Sequence, residues 1–182
     1  TGPTSMFLTA SEAVYVLPMS TDATDSDRLS STAYALRMRF ADAGRNITAR
    51  GVANAEQRTN YFRGSAAENW RTQVPSFSSI ELGNVADGIS MLWHGQENGA
   101  TRYDLVVDPG ADPSQIVLSF DGADTIEIDE NGGILINTPA GTIRQAAPFA
   151  YQEGVDRQKN EIRSGFRVEG RSVRFDLGEY DT

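Results

Sequence analysis

RYDLVVDPGADPSQIVLSFDGAD, residues Arg102–Asp124, carries five aspartates, two prolines and two glycines among strand-forming apolar residues. It is either an acidic metal or catalytic site, or a pair of strands with their turns. The pattern selects the second. Tyr103, Leu105 and Val107 alternate as on a half-buried strand. Asp108-Pro109-Gly110 is a turn, because proline fixes φ and glycine frees it. Asp112-Pro113-Ser114-Gln115 opens one helical turn with proline at its first position. Ile116, Leu118 and Phe120 make the next strand, and Asp121-Gly122 starts another turn. Most of the aspartates therefore stand where turns want them.

The same alternation spreads outward. Tyr34, Leu36, Met38 and Phe40 alternate with Ala35, Arg37 and Arg39. Ile126 and Ile128 lead through Glu130-Asn131-Gly132-Gly133 to Ile134–Ile136, a hairpin in which Asn-Gly is expected to supply positive φ. Asn137–Gly141 is the next turn, before Thr142–Gln145. Phe166 and Val168 face Val173, Phe175 and Leu177 across a turn at Glu169–Ser172. Further strands are expected at Met6–Thr9, Ala13–Leu17, Thr59–Phe62, Phe77–Leu82, Ile89–Trp93 and Ala147–Gln152. Ser65–Trp70 reads as one helical turn, Ser65 being the N-cap and Glu68 closing a capping box. More than a dozen short, regularly punctuated strands predict an all-β fold, a β-sandwich of antiparallel sheets with one or two short helical turns. Residues 1–182 read as one domain, with a polar, flexible loop at 21–31.

Composition excludes several functions. With no cysteine there is no disulfide framework, zinc-thiolate site, iron–sulfur cluster or cysteine nucleophile. A net charge of −9 argues against nucleic acid or an anionic membrane surface as partner, since both are bound through a cationic face. No apolar run approaches the ~20 residues of a membrane-spanning helix. The basic residues are fifteen arginines and one lysine.

Candidate chemistry is sparse. Asp121, Asp124 and Asp129, with Glu130, are close enough in sequence to suggest a structural calcium, although their spacing matches no EF-hand or β-roll repeat. Solvated turn aspartates are the plainer reading. His94 is the only histidine, so a Ser-His-Asp triad would have to use it. Its segment, Ser90–Gly95, lacks the glycine-flanked serine of a nucleophile elbow. The acidic residues single out no carboxylate pair for glycoside hydrolysis. No glycine-rich loop has the lysine and the following helix of a phosphate site. Among the aromatics, Trp93 beside His94 and Trp70 beside Arg71 are the most distinctive, since neighbours on a strand face opposite ways. Trp70, Trp93, His94 and Tyr103 are the ligand-contact candidates, while core packing is the ordinary use of such rings.

Several motifs occur in a set order. They are Asn60–Gly64, Trp70–Pro75, Gly88-Ile89 through His94-Gly95, Tyr103–Val107 and Pro109–Pro113. Phe120–Ala123, Thr138–Gly141, Arg144-Gln145 with Pro148, and Tyr151-Gln152 follow. As a set they resemble the domain that precedes SBBP-type β-propeller repeats in large bacterial surface and secreted proteins. The resemblance runs from Phe7-Leu8-Thr9 to Tyr180-Asp181. Trp93-His94 departs from it, standing where that family tends to show two tyrosines. The resemblance implies an extracellular or cell-surface module within a longer protein, of which this chain is a fragment or a divergent relative. It brings no catalytic motif. The expected function is a non-enzymatic structural or adhesive module, a spacer or docking platform for neighbouring domains or surface proteins. A carbohydrate-binding module with glycan partners is the second reading, and a hydrolase of a surface polymer the third. No cofactor is expected apart from the candidate calcium.

Overall fold

The computed structural model describes residues 5–9, 11–19, 32–40, 47–96, 100–154 and 156–181, the side chains of 54–57 excepted. The loop expected at 21–31 lies outside the described residues. Fifteen strands run through them. β1 (Ser5–Leu8), β2 (Glu12–Pro18) and β3 (Ala33–Phe40) come first, then β4 (Thr48–Tyr61), β5 (Arg71–Ala86), β6 (Ile89–Gly95) and β7 (Thr101–Val107). Next are β8 (Leu118–Asp121), β9 (Thr125–Ile128), β10 (Ile134–Thr138) and β11 (Gly141–Gln145). β12 (Ala150–Glu153), β13 (Lys159–Ile162), β14 (Ser164–Glu169) and β15 (Ser172–Leu177) complete the set.

The chain is an all-β sandwich, as the alternation predicts. A six-stranded sheet has the order β1-β2-β3-β8-β15-β14, and a four-stranded sheet the order β4-β5-β6-β7. A three-stranded sheet, β11-β10-β9, and the separate hairpin β12-β13 accompany them. One core joins the three larger sheets. Leu36, Leu118 and Val173 come from the first, Met91 from the second and Ile134 from the third, and none has accessible surface. Each such side chain contributes about 1.5–3 kcal/mol through its burial. Alternation is what allows this, because every inward residue is followed by an outward one that meets solvent.

The Arg102–Asp124 stretch folds as its turn residues dictate. Gly110 takes φ +81°, and the Ala111 N–H donates to the Asp108 carbonyl at 2.9 Å, a turn with proline then glycine at its centre. Pro113–Gln115 is a single 3-10 turn, and Asp112 caps it by accepting from the Ser114 N–H at 2.9 Å. Gly122, at φ +97°, lies against the Ala35 carbonyl, where a Cβ would come within 2.9 Å. The Tyr34 hydroxyl donates to the Gly122 carbonyl at 2.8 Å and ties this turn to β3.

Several expectations need correction. Phe77–Leu82 and, up to Tyr61, Thr59–Phe62 are pieces of two much longer strands, β5 and β4, whose exposed length shows no apolar alternation. The turn between them is a 3-10 turn at Ala67–Asn69 with Ala66 at its cap and no side-chain cap. It starts one residue too late for Ser65 and Glu68 to form a box, and it closes through the Asn69 and Trp70 N–H groups instead. Ile116 ends the second 3-10 turn, so that strand begins at Leu118. The strand expected at Ala147 starts at Ala150, because Pro148 has no N–H to give a ladder. β13 carries a single apolar residue, Ile162, and went unpredicted. In the β9–β10 hairpin only Gly132 takes positive φ, so this is a longer loop than Asn-Gly suggests.

Candidate functional site

β6 lies between β5 and β7, so its side chains are sorted by the two sheet faces. Trp93 points into the core and is 3% exposed. Its ring packs on Tyr103 at 5.2 Å between centroids. Burial pushes the Tyr103 hydroxyl far above its ordinary pKa, and that hydroxyl accepts from the Gln145 amide on β11 at 2.5 Å. Trp93 and Tyr103 therefore join two sheets from inside, Trp93 fully buried and Tyr103 partly so.

His94 points outward. The register sets it beside Ser79 on β5 and Arg102 on β7. Nδ1 of His94 lies 3.1 Å from the Ser79 hydroxyl, and Nε2 lies 3.0 Å from Oδ2 of Asp104. Arg102 also donates to that oxygen, at 3.1 Å. A hydroxyl, an imidazole and a carboxylate in series are the nucleophile, base and orienter of acyl-transfer enzymes. What such chemistry needs besides is a set of N–H donors aimed at a developing oxyanion, and a pocket for the acyl group. Ser79 is in mid-strand with ladder partners on both sides, Ala53 and His94. One cavity borders Ala13, Met38 and Trp93, and another borders Leu8, Gly51 and Phe77. Neither touches His94. The network cross-links three strands on an open face. Sequence reasoning named His94 but missed Ser79 and Asp104, which become its neighbours only through strand pairing.

The calcium candidates separate. Asp121 pairs with Arg39 at 2.7 Å on the outer face of the six-stranded sheet. Asp124 is exposed at the start of the β9 turn, where its N–H donates to the Asn137 carbonyl. The Asp129 side chain is 8% exposed and organises the β9–β10 loop. Its Oδ1 accepts from the N–H groups of Asn131 and Gly133 at 2.8 and 3.0 Å, and its Oδ2 meets Arg144 at 2.7 Å. Among the described residues no three His, Asp or Glu side chains converge as a metal site.

Acid sensitivity follows from these contacts. Burial pushes the Asp129 carboxyl up, but the Asn131 and Gly133 N–H groups and Arg144 more than reverse this and hold it below the ordinary carboxylate range. Glu12 is held low chiefly by the hydrogen bond from Arg39, with Arg37 assisting, and Asp112 by the Ser114 hydroxyl and N–H. A carboxyl whose folded pKa is depressed adds stability above its unfolded pKa, and that stability is lost as pH falls through the folded value. The expected result is a Tm nearly constant from neutral pH to about 5, falling below about 4. Thermal melts over that range check it. In Asp129→Asn the acid fall is shallower, and a Tm of the wild type that holds steady to pH 3 would contradict the assignment.

The most exposed aromatic cluster lies elsewhere. β6 reaches only to Ser79 of β5, so Arg71–Ser78 has β4 as its sole ladder partner among the described strands. β4 and β5 thus extend beyond the sheet as a two-stranded arm. Phe77 lies flat over Gly51 at its base, where any Cβ would come within 2.2 Å of the ring. At the tip Tyr61 pairs with Arg71, and Gln73, at φ +56°, donates its N–H to the Asn60 side chain at 2.7 Å. Phe62 is 61% exposed and Trp70 40%. Their rings meet edge to face at 5.2 Å and 86°, and the indole N–H donates to the Gly64 carbonyl at 3.2 Å. Arg63 follows Phe62 and Arg71 follows Trp70 in the chain, while Arg58 on β4 donates to the Gln73 carbonyl at 3.2 Å and Arg71 to the Glu68 carbonyl at 3.3 Å. Among the described residues no carboxylate pairs with these three arginines, nor with Arg157, Arg163 and Arg171, whereas Arg37, Arg39, Arg50, Arg102, Arg144, Arg167 and Arg174 all have one. Trp70 was legible as a candidate; Phe62 and the arginines join it only because the arm folds back on itself.

A family model described as "Domain of unknown function (DUF7948)" matches residues 1–182. No curated protein and no solved structure matches the chain.

Proposed function

We propose that this chain, which belongs to the DUF7948 family, is a non-enzymatic docking module of a bacterial extracellular or cell-surface protein, with the arm as its contact element. One observation carries the reading. Tyr61, Phe62 and Trp70 are exposed together with three arginines that have no carboxylate partner among the described residues. Aromatic residues and arginine are the types enriched where protein interfaces hold their binding energy. The resemblance to domains that precede SBBP-type propeller repeats supports the setting. The edge-to-face angle favours a protein partner over a glycan, because stacked sugar rings need a coplanar platform.

The hydrolase is the second reading, favoured by the Ser79–His94–Asp104 contacts. One set of measurements separates these. In Trp93→Phe, Trp70 is the sole tryptophan and its emission reports on the tip. Titration with poly-L-glutamate, a carboxylate-bearing chain, is expected to shift that emission. The shift is lost when Arg58, Arg63 and Arg71 are changed to Glu. Hydrolysis of p-nitrophenyl acetate that disappears in Ser79→Ala would move the assignment to a hydrolase. Binding of a neutral glycan that Trp70→Ala abolishes would move it to a carbohydrate-binding module.

A further inference from the structure

We propose that the arm tip of one copy docks on the acidic body of a second copy of this chain, head to tail. The inference rests on the docking reading above and names its partner. Both halves of the charge complementarity are on the same chain. Residues 58–71 hold Arg58, Arg63 and Arg71 against Glu68, a net of +2. Subtracting that from the chain's −9 leaves −11 for the rest. An acidic protein normally repels its own copies, and distance removes that repulsion here. Arg71 stands eight residues beyond Ser79, the last position where β5 pairs with β6. At ~3.3 Å per residue the tip extends up to about 26 Å past the sheet. The screening length at physiological salt is about 8 Å, so the body's field has largely decayed at the tip. The arginines then meet exposed carboxylates of another copy while the two bodies stay apart. Phe62 and Trp70 add the apolar contact that exposed ion pairs alone do not supply.

The contact joins unlike surfaces, so it is heterologous. Each copy offers one arm and receives one, and assembly grows beyond a pair.

Sedimentation velocity on the whole chain tests this. At low salt the weight-average sedimentation coefficient is expected to rise with concentration, and to return to the monomer value at about 0.5 M salt. The variant with Arg58→Glu, Arg63→Glu and Arg71→Glu is expected to associate at least about tenfold more weakly at an unchanged Tm. Its body is intact, so labelled wild type at trace concentration still pairs with an excess of it, and the complex stops at two. Wild type that is monomeric at every concentration and salt overturns the proposal, as does a variant that associates like wild type. If wild type is monomeric yet poly-L-glutamate shifts Trp70 emission in an arginine-dependent way, self-docking falls and the docking reading survives. If neither response occurs, both fall.

Discussion

Phe120→Ala lowers the free energy of unfolding by about 3–5 kcal/mol, the range for removing a fully buried aromatic ring. The ring is 1% exposed and sits on β8, between β3 and β15, opposite Met38. Its backbone is tied as well, with the N–H donating to the Arg171 carbonyl at 2.9 Å and the carbonyl accepting from the Ala123 N–H at 3.3 Å. Those bonds survive in alanine, so the loss comes from the ring alone: transfer to water plus a cavity that packed strands on both sides cannot close. A domain stable by about 5–15 kcal/mol would be left marginal. Urea unfolding measures it, with the midpoint falling and the slope unchanged. A loss under about 1.5 kcal/mol would mean the sheets collapse around the gap, against the packing described.

Trp93→Ala is expected to cost a similar ~3–5 kcal/mol, but Trp93→Phe no more than about 1 kcal/mol. The indole is buried and its Nε1 has no hydrogen-bond partner among the described residues. An orphaned buried donor already carries a desolvation penalty of about 1–3 kcal/mol, which phenylalanine removes. That gain offsets most of the smaller ring's lost contacts. The same unfolding series decides the point. If phenylalanine costs as much as alanine, packing of the second ring dominates and the orphaned N–H is not a significant cost.

The ligand reading of Trp93 shows how far local pattern reaches. Adjacency to His94 correctly put the two side chains on opposite faces, because strand alternation is a backbone property. Which face was buried depended on the sheet packed against it. Tyr103 turned toward Trp93 for the same reason, and of the four ligand candidates only Trp93 is fully buried. The arm was hidden for a different reason. Its exposed strands bury neither face fully, so no apolar alternation marks them, and β4 and β5 are held mainly by pairing with each other.

The Arg102–Asp124 stretch was legible because turns are chosen by single residues. Proline at 109, glycines at 110 and 122 and the Asp112 cap each act within a few positions, whatever lies around them. The same holds for the all-β class, which alternation determines. His94 marks where local rules stop. The Asp87-Gly88 hairpin pairs Ala86 with Ile89, and extending that register would set His94 against Glu81. An irregularity at Asn84, which takes φ +59°, shifts the pairing by two residues and sets His94 against Ser79 instead. A shift of two leaves every side chain on its own face, so alternation cannot detect it. Sequence by itself determined strands, turns and faces, which are short-range properties of the backbone. Only the tertiary structure decided which side chains meet across strands and which strand pair leaves the sheet, because register is set by bulges and long-range pairing.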